Sequence, residues 1–237
     1  PEFLDASMLR AFPVVMIMIA AVGAITPQDS SYRSFLLSPT DSALVEFEAG
    51  RFWHAARMLR EEEAAAGGPE DVLLLARAEA GWGNWLAVAE LLDGAEWLPE
   101  ESGAIGLYLL GRAWEAQGQW EEAAESYGRY VDLGLSGTTR HHASIARRTL
   151  SLWKSGEREA SFVSLRQLEP HLGAQSWTAL EIALGEARDG NVSSVEDLLG
   201  MIEQPLARLS SWRLLPDAFF EAGDVIGATE AFREAYQ

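Results

Sequence analysis

The chain has 237 residues, of which 48% are apolar and 23% charged, and this ordinary globular composition excludes intrinsic disorder over most of its length. Its 36 acidic and 18 basic residues give a net charge of −18, so its surface repels phosphate groups and disfavours nucleic acid and anionic lipid as partners. The chain has no cysteine, which excludes disulfides, thiolate metal ligands and cysteine nucleophiles.

Residues 8–25 have the features of an export signal. Met8 resembles a start of translation, so residues 1–7 are interpreted as a cloning scar. Arg10 is followed by about fifteen uncharged, mostly apolar residues, which is shorter than the ~20 residues of a membrane span but suits a signal peptide. We therefore predict a signal peptide over residues 8–25 and an exported protein, with the periplasm as the expected compartment.

Two alternatives for residues 8–25 stay open. The segment could be an uncleaved anchor, which is the one way in which we expect this chain to contact a membrane, or an ordinary buried helix. Residues 26–40 are mainly polar and contain Pro27 and Pro39, so they are predicted to form a tether. The folded domain is then expected over residues 41–237.

From Asp41 onward the chain repeats itself with a period near 34 residues. Each repeat contains a glycine followed by a polar residue and then, in five of six cases, by a bulky one. The six glycines are Gly50, Gly83, Gly118, Gly156, Gly190 and Gly223. Counted from this glycine, position +5 is small or β-branched and position +9 is bulky in every repeat, and position −7 is small or short in five of six. Six matches in register indicate a true repeat.

This pattern predicts a helical hairpin in each repeat. The glycine ends the first helix, the polar residue begins the second, and the small residues at −7 and +5 let the two helices approach closely. No long alternating stretch predicts a strand. We therefore predict an all-α protein of twelve helices in six hairpins. The hairpins are expected at 41–64, 70–93, 104–133, 140–168, 175–203 and 208–236.

The third repeat resembles the tetratricopeptide repeat (TPR). The residues that carry the resemblance are Leu110, Gly111, Trp114, Gly118, Trp120, Ala123 and Tyr127. The sixth repeat matches most of the same signature, although Pro216 departs from it and is expected to kink the first helix or delay its start. The resemblance implies a right-handed superhelix, an α-solenoid of about six TPR-like hairpins with a concave face, over residues 41–237.

A narrower resemblance concerns the whole arrangement. A signal segment, a tether and degenerate alanine- and tryptophan-rich helical repeats, such as residues 73–85, resemble the superhelical N-terminal region of soluble lytic murein transglycosylases. In that family a separate C-terminal domain cleaves the glycan strand, and this chain has no such domain after Gln237. The resemblance implies a part in positioning peptidoglycan strands or a partner.

The sequence contains no pattern typical of a catalytic, cofactor or metal site. The adjacent His141 and His142 point about 100° apart on a helix and cannot share a metal on one face. His54 and His171 lie in other repeats. No glycine-rich phosphate loop is present. The acidic runs Glu61–Glu63 and Glu121–Glu122 fall on stretches predicted to be solvated helix faces, and nothing in the sequence places a carboxyl group in an apolar cleft. We therefore predict no catalytic residue, no cofactor and no metal.

The nine tryptophans fall into two groups. Four occupy positions of the repeat signature and are predicted to lie in the core: Trp85, Trp114, Trp120 and Trp212. The other five lie off the main signature and are candidates for a ligand-binding face: Trp53, Trp82, Trp97, Trp153 and Trp177. Indole rings stack on sugar rings and on peptide side chains, but the same five side chains could instead pack between repeats.

Three functional hypotheses follow. The first is a non-catalytic binding or architectural module of the cell envelope, the superhelical region of a peptidoglycan lytic transglycosylase. The alternative is a free-standing TPR adaptor that binds a peptide or helix of a partner protein. The third, an enzyme that uses the carboxylates of this region directly, has the least support. The sequence given ends with the sixth hairpin, so its stacking surface is expected to be open, which suggests a truncated chain, a following domain or a partner at that end.

Overall fold

The computed structural model describes residues 39–62, 67–134, 138–168, 172–202 and 206–235. The predicted signal segment and most of the predicted tether lie outside the described residues. The helices belong to one compact unit, Ser38–Gln237, which begins slightly before the predicted start at Asp41.

Twelve α-helices follow one another along the described residues, and no strand occurs among them. In chain order they are α1 Pro39–Glu48, α2 Phe52–Glu61, α3 Pro69–Gly81, α4 Trp85–Leu92, α5 Ile105–Ala116, α6 Trp120–Asp132, α7 Thr139–Lys154, α8 Arg158–Leu168, α9 Leu172–Arg188, α10 Val192–Gly200, α11 Leu206–Glu221 and α12 Val225–Ala235. Each odd-numbered helix pairs with the even-numbered helix that follows it. The predicted all-α solenoid of six hairpins is confirmed.

The repeat glycines form the turns between paired helices, as predicted. All six have a positive φ, for example +73° at Gly118 and +95° at Gly156, a conformation that strains any residue with a Cβ atom. The polar residue at +1 begins the second helix through its backbone carbonyl, and in Asn84 and Asn191 the side chain makes no capping bond. The side-chain amides of these two residues instead donate hydrogen bonds to carboxylates of the preceding helix, Asn84 to Glu79 and Asn191 to Glu186.

Pro216 lies inside α11, which continues on both sides of it. The helix begins at Leu206, slightly before the predicted 208, so the expected late start of the sixth hairpin is wrong. The missing N–H of a proline removes one backbone hydrogen bond, and here that loss does not end the helix.

Small residues set the spacing between the paired helices. Gly111, at position −7 of the third repeat, faces the ring of Tyr127, the bulky residue at position +9 of the same repeat. Tyr127 is fully buried. Position −7 is also buried at Ala76, Thr149 and Ala183, so the close approach recurs along the array.

The apolar core is divided along the chain into three clusters. The first joins α1 to α3, the second joins α3 to α6, and the third joins α7 to α11. Odd-numbered helices also pack on the next odd-numbered helix, as α3 does on α5 and α7 does on α9. The boundary between the second and third clusters falls between α6 and α7.

Replacing Gly111 with alanine tests the small-residue requirement. A Cβ atom at this position would lie 2.7–2.9 Å from three ring atoms of Tyr127, which is buried and cannot move away. We expect Gly111→Ala to lower the free energy of unfolding by about 2 kcal/mol, measured by urea denaturation followed by circular dichroism. Gly200→Ala is the matched control because a Cβ atom there meets nothing within 4 Å, and it should leave stability unchanged or raise it by up to about 1 kcal/mol. Equal effects of the two variants would contradict this account of the packing.

Candidate functional site

Two carboxylates are fully buried at equivalent positions of different repeats. Glu79 and Glu186 both lie four residues before the repeat glycine. Burial of a charged carboxylate is unfavourable unless charged or hydrogen-bonding groups surround it. Neither residue was predicted from the sequence, although the spacing Glu-x4-Asn, which ends at Asn84 and at Asn191, is visible there.

Each of these carboxylates has the same three kinds of partner. Glu79 accepts hydrogen bonds from Trp82 Nε1 at 3.1 Å and Asn84 Nδ2 at 2.8 Å, and it contacts Arg60 of the preceding even helix. The buried charge therefore ties α2 to the end of α3.

The Glu186 site repeats this arrangement at the junction of the fourth and fifth hairpins. Glu186 accepts hydrogen bonds from Trp153 Nε1 at 2.6 Å and Asn191 Nδ2 at 2.8 Å. Arg158 Nη1 lies 3.3 Å from Glu186 Oε1, and its Nη2 contacts Asp189. An amide, an indole and an arginine thus surround both buried carboxylates, which gives them a structural role at the junctions between hairpins.

A third carboxylate, Glu115, joins three consecutive helices. Arg147 Nη1 of α7 donates to both of its oxygens, at 2.7 and 2.8 Å, and Tyr127 Oη of α6 donates to Oε2 at 2.7 Å. Arg112 Nε, one turn away on α5, lies 3.6 Å from the same oxygen. Two guanidinium groups therefore share one carboxylate, and the group carries a net positive charge.

The surroundings of Glu115 shift two pKa values. Burial raises the pKa of Tyr127 far above its ordinary value, and the negative charge of Glu115 raises it further. Burial lowers the pKa of Arg147, but the charge of Glu115 and its hydrogen bond outweigh that effect, so the pKa ends above the ordinary value. Both donors therefore keep their protons throughout the neutral range.

Two tryptophans flank these charges. The guanidinium carbon of Arg112 lies 5.0 Å from the ring centre of Trp85, and that of Arg147 lies 5.4 Å from the ring centre of Trp177. Trp85, Arg112, Glu115, Arg147 and Trp177 thus form a continuous row from α4 through α5 and α7 to α9, which we call the arginine row. Both of its arginine side chains are partly exposed.

Arg147 of the arginine row lies on α7, a helix of unusual charge. Residues 133–156, which include all of α7, contain no aspartate or glutamate in a chain that has 36 of them. The same stretch carries four positive charges, on Arg140, Arg147, Arg148 and Lys154. This segregation of charge was not predicted from the sequence, although a count of acidic residues along the chain is enough to find it.

The five tryptophans predicted to face a ligand lie on five different elements. Trp53 is on α2, Trp82 at the end of α3, Trp97 in the α4–α5 connection, Trp153 on α7 and Trp177 on α9. A cation lies over the ring of four of them: Arg57 over Trp53, Arg60 over Trp82, Lys154 and Arg158 over Trp153, and Arg147 over Trp177. Trp97 is partly buried against the second core cluster. Their predicted contact with a ligand stays a prediction.

The signature tryptophans lie mostly where the repeat predicts. Trp85 and Trp114 are partly buried and pack against the second core cluster, and Trp120 is partly buried at the start of α6. The side chain of Trp212 lies outside the described residues, as does His171.

The described part of the chain shows no group of three or more histidine, aspartate or glutamate side chains able to hold a metal ion. Over the same residues, no helix is both long enough and apolar enough to span a membrane. His141 and His142 stack edge to face, and His54 stacks in the same way on Trp53.

No protein-family model matches the sequence, and no curated protein matches it significantly. Among solved structures, the chain is similar to BtubC (BKLC) from P. vanneervenii, with a TM-score of 0.50 and 14% identity over 84% of this chain and 88% of that one. RapI in its apo form gives a TM-score of 0.47 and 11% identity over 87% of each chain. A kinesin light chain structure from Podosopora anserina with nearly identical TPR-like repeats gives a TM-score of 0.42 and 19% identity, over 84% of this chain and 92% of that one. The likeness to BtubC concerns the fold alone.

The raised pKa of Tyr127 predicts a specific loss of stability in alkaline solution. Above pH 10 the unfolded tyrosine releases a proton that the folded one keeps, so the free energy of unfolding falls as pH rises. The wild type should lose about 1.4 kcal/mol per pH unit from this residue, a loss that Tyr127→Phe cannot show. Urea denaturation of both proteins from pH 7 to 11 measures the difference. We expect the difference between the two free energies of unfolding to be constant up to pH 9 and to become smaller above pH 10. A difference that stays constant to pH 11 would refute the raised pKa of Tyr127.

Proposed function

We propose that the protein is a non-catalytic helical-repeat module that binds an acidic segment of a partner protein along the arginine row. The observation that carries the proposal is the sharing of one carboxylate, Glu115, by Arg112 and Arg147, because it leaves net positive charge on two arginine side chains that are partly exposed. A carboxylate of the partner would complete the pairing of those two arginines.

The surroundings of the row support an acidic ligand. Within residues 41–237, the stretch 133–156 is the longest one without a negatively charged side chain, so an acidic segment is repelled less there than over the rest of the repeats. Trp85 and Trp177, at the two ends of the row, lie under Arg112 and Arg147 and hold their two guanidinium groups in position. Stacked repeats offer an extended surface, which suits a segment of chain.

The carboxylates give no support to a catalytic role. General acid–base chemistry by a carboxyl group needs a raised pKa in an apolar cleft. Glu79 and Glu186 are instead surrounded by an arginine, an indole and an amide, and Glu115 binds Arg147 and Tyr127. Each of these groups joins neighbouring helices.

A second interpretation is that the chain is the exported superhelical region of a peptidoglycan lytic transglycosylase. The apolar segment after Arg10 and the resemblance of residues 73–85 favour it. Glycan binding would use the off-signature tryptophans as stacking platforms. We prefer the protein partner because a cation already lies over four of those five rings.

Selection of random phage-displayed peptides against the intact chain tests the proposed site. We expect the selected peptides to be enriched in aspartate and glutamate, and their affinity to fall at least tenfold in Arg147→Gln, since one charge-assisted pair is worth about 1.5–3 kcal/mol. Arg147→Lys should recover part of the affinity. Arg57→Gln is the control, because Arg57 also stacks on a tryptophan and pairs with a glutamate but lies outside the arginine row. Peptides without acidic enrichment, or an equal loss in the control, would contradict the proposal.

Sedimentation with insoluble peptidoglycan separates the two interpretations. We expect the protein to stay in the supernatant and to release no muropeptides, because its exposed surface is acidic and its indoles are engaged by cations. Binding that is lost in a Trp53→Ala, Trp82→Ala variant would instead favour the glycan interpretation, since these two rings are the more exposed of the five. Leu86→Ala, which removes an apolar side chain that is even more exposed, is the control.

A further inference from the structure

A third arginine continues the arginine row along the array. Arg77 of α3 and Arg112 of α5 both lie six residues before their repeat glycine, 35 residues apart, and Arg147 of α7 follows Arg112 after another 35 residues. Arg147 is at position −9 because the interval from Gly118 to Gly156 is three residues longer than the interval before it. Three consecutive odd helices therefore carry an arginine at a constant spacing in the sequence.

The three side chains lie along one side of the odd helices. In α3 and α5 the residues at −7 and −5 are buried, whereas the arginine between them is partly exposed. Arg77 contacts the preceding odd helix at position −3, where its guanidinium group lies over the ring of Phe47, and Arg147 contacts α5 at the same position, Glu115. A ligand that crosses the odd helices at Arg112 and Arg147 therefore meets Arg77 as well.

Each of the three guanidinium groups lies over an aromatic ring that the core holds in place. The guanidinium carbon of Arg77 is 4.7 Å from the ring centre of Phe47, which packs against the first core cluster. Trp85 and Trp177, the rings under the other two arginines, pack against the second and third clusters. Since the rings restrict the positions of the charges, a ligand loses little free energy in ordering these side chains when it binds.

The three arginines form two anchors for negative charge. Arg147 Nη1 lies 2.8 Å and Arg112 Nε 3.6 Å from the same oxygen of Glu115, so their guanidinium groups are side by side and form one anchor. Arg112 Nε is buried and makes no hydrogen bond among the described residues. Arg77 is the second anchor, because the ring of Phe47 holds its charge without neutralising it.

The acidic side chains near Arg77 leave its charge available to a ligand. Six of them lie on α1 and α3, namely Asp41, Glu46, Glu48, Glu70, Asp71 and Glu79. Glu46 pairs with Arg51 and Glu79 with Arg60, and none of the ion pairs between described residues includes Arg77. Glu70 and Asp71 lie in the first turn of α3, about 10 Å along the helix from Arg77.

We propose that the acidic segment bound by the arginine row has a polyproline II conformation. One of its carboxylates binds Arg112 and Arg147, and a second carboxylate, three residues away, binds Arg77. This inference rests on the proposed function and adds to it the spacing of the acidic residues and the conformation of the segment that carries them.

The distance between the anchors supports this spacing. The helices α3 and α5 pack on each other, and the axes of packed helices are about 8–10 Å apart. In a polyproline II helix, residues i and i+3 point the same way and are about 9 Å apart. In a β-strand the residues on one side are about 7 Å apart at i and i+2 and about 13 Å apart at i and i+4. An α-helix reaches the required distance only at i and i+7.

Three isomeric peptides test the spacing with the unmodified chain. Each contains two glutamates and six prolines, with the glutamates two, three or four residues apart. Proline keeps the polyproline II conformation, in which only the glutamates three residues apart point the same way and the other pairs point about 120° apart. We expect this isomer to bind at least tenfold more tightly than the other two, because it alone completes a second charge-assisted pair. Fluorescence anisotropy of peptides that carry the same N-terminal dye measures the affinities.

Substitution of Arg77 tests the second anchor. Arg77→Gln should lower the affinity of the isomer with spacing three to that of a peptide with a single glutamate, and Arg77→Lys should recover part of it. The other two isomers should bind Arg77→Gln and the wild type equally. Arg148→Gln is the matched control, because it removes a positive charge next to Arg147 from a side chain that lies against Gly128 of α6, outside the row. Circular dichroism checks that each variant is folded.

Several results would overturn the inference. These are equal affinities of the three isomers, an Arg77→Gln variant that binds like the wild type, and an equal loss of affinity in Arg148→Gln, which would indicate attraction by overall charge. A helical peptide with glutamates at i and i+7 that binds more tightly than the isomer with spacing three would also contradict it. If acidic peptides selected on phage still need Arg147 in these cases, the proposed function stands and only the conformation and spacing are wrong. If no acidic peptide needs Arg147, both fail.

Discussion

A hairpin of two short helices has two apolar surfaces and can bury only one of them within itself. The other must be covered by the next hairpin, so each repeat depends on its neighbour for the free energy that keeps it folded. The glycine turn, the small residue at −7 and the bulky residue at +9 all serve this requirement. Tyr127 shows the result, because its ring fills the space left by Gly111 and its hydroxyl group reaches Glu115.

Charged groups complete junctions where apolar packing alone does not. Three ion pairs each join one hairpin to the next. They are Arg60 with Glu79, Arg147 with Glu115 and Arg158 with Glu186. A buried ion pair stabilises little compared with a well-packed apolar contact, but it strongly disfavours any register that separates the charges. In a chain of similar hairpins that selectivity is useful, because a helix displaced by one repeat would meet much the same apolar pattern.

The sequence was sufficient for the helices and their pairing because both depend on local signals. Six glycines at nearly equal intervals marked the turns, and small residues at fixed offsets marked the packed faces. The arginine row was not predicted, because Glu115 and Arg147 are 32 residues apart and meet only when α5 and α7 take their relative positions. The five off-signature tryptophans were candidates either for a ligand-binding face or for packing between repeats, and their spacing does not show which of them lie under an arginine. The stretch around α7 that lacks acidic residues is a local feature of the sequence, and counting charged residues in successive windows along the chain reveals it.

The division of the apolar core into three clusters has a consequence for how the protein comes apart. Each cluster includes helices of two or more hairpins, and the second and third meet between α6 and α7, with the Arg147–Glu115 pair linking α7 to α5 across that boundary. Cooperativity in such an array passes only between neighbours, so the part before α7 and the part after α6 can lose structure at different concentrations of denaturant. The Arg147–Glu115 pair is only part of the link between the two parts, because α6 packs closely on α7 and Val131 of α6 lies against the third cluster. The packing of α6 on α7 therefore decides how closely the unfolding of one part follows that of the other.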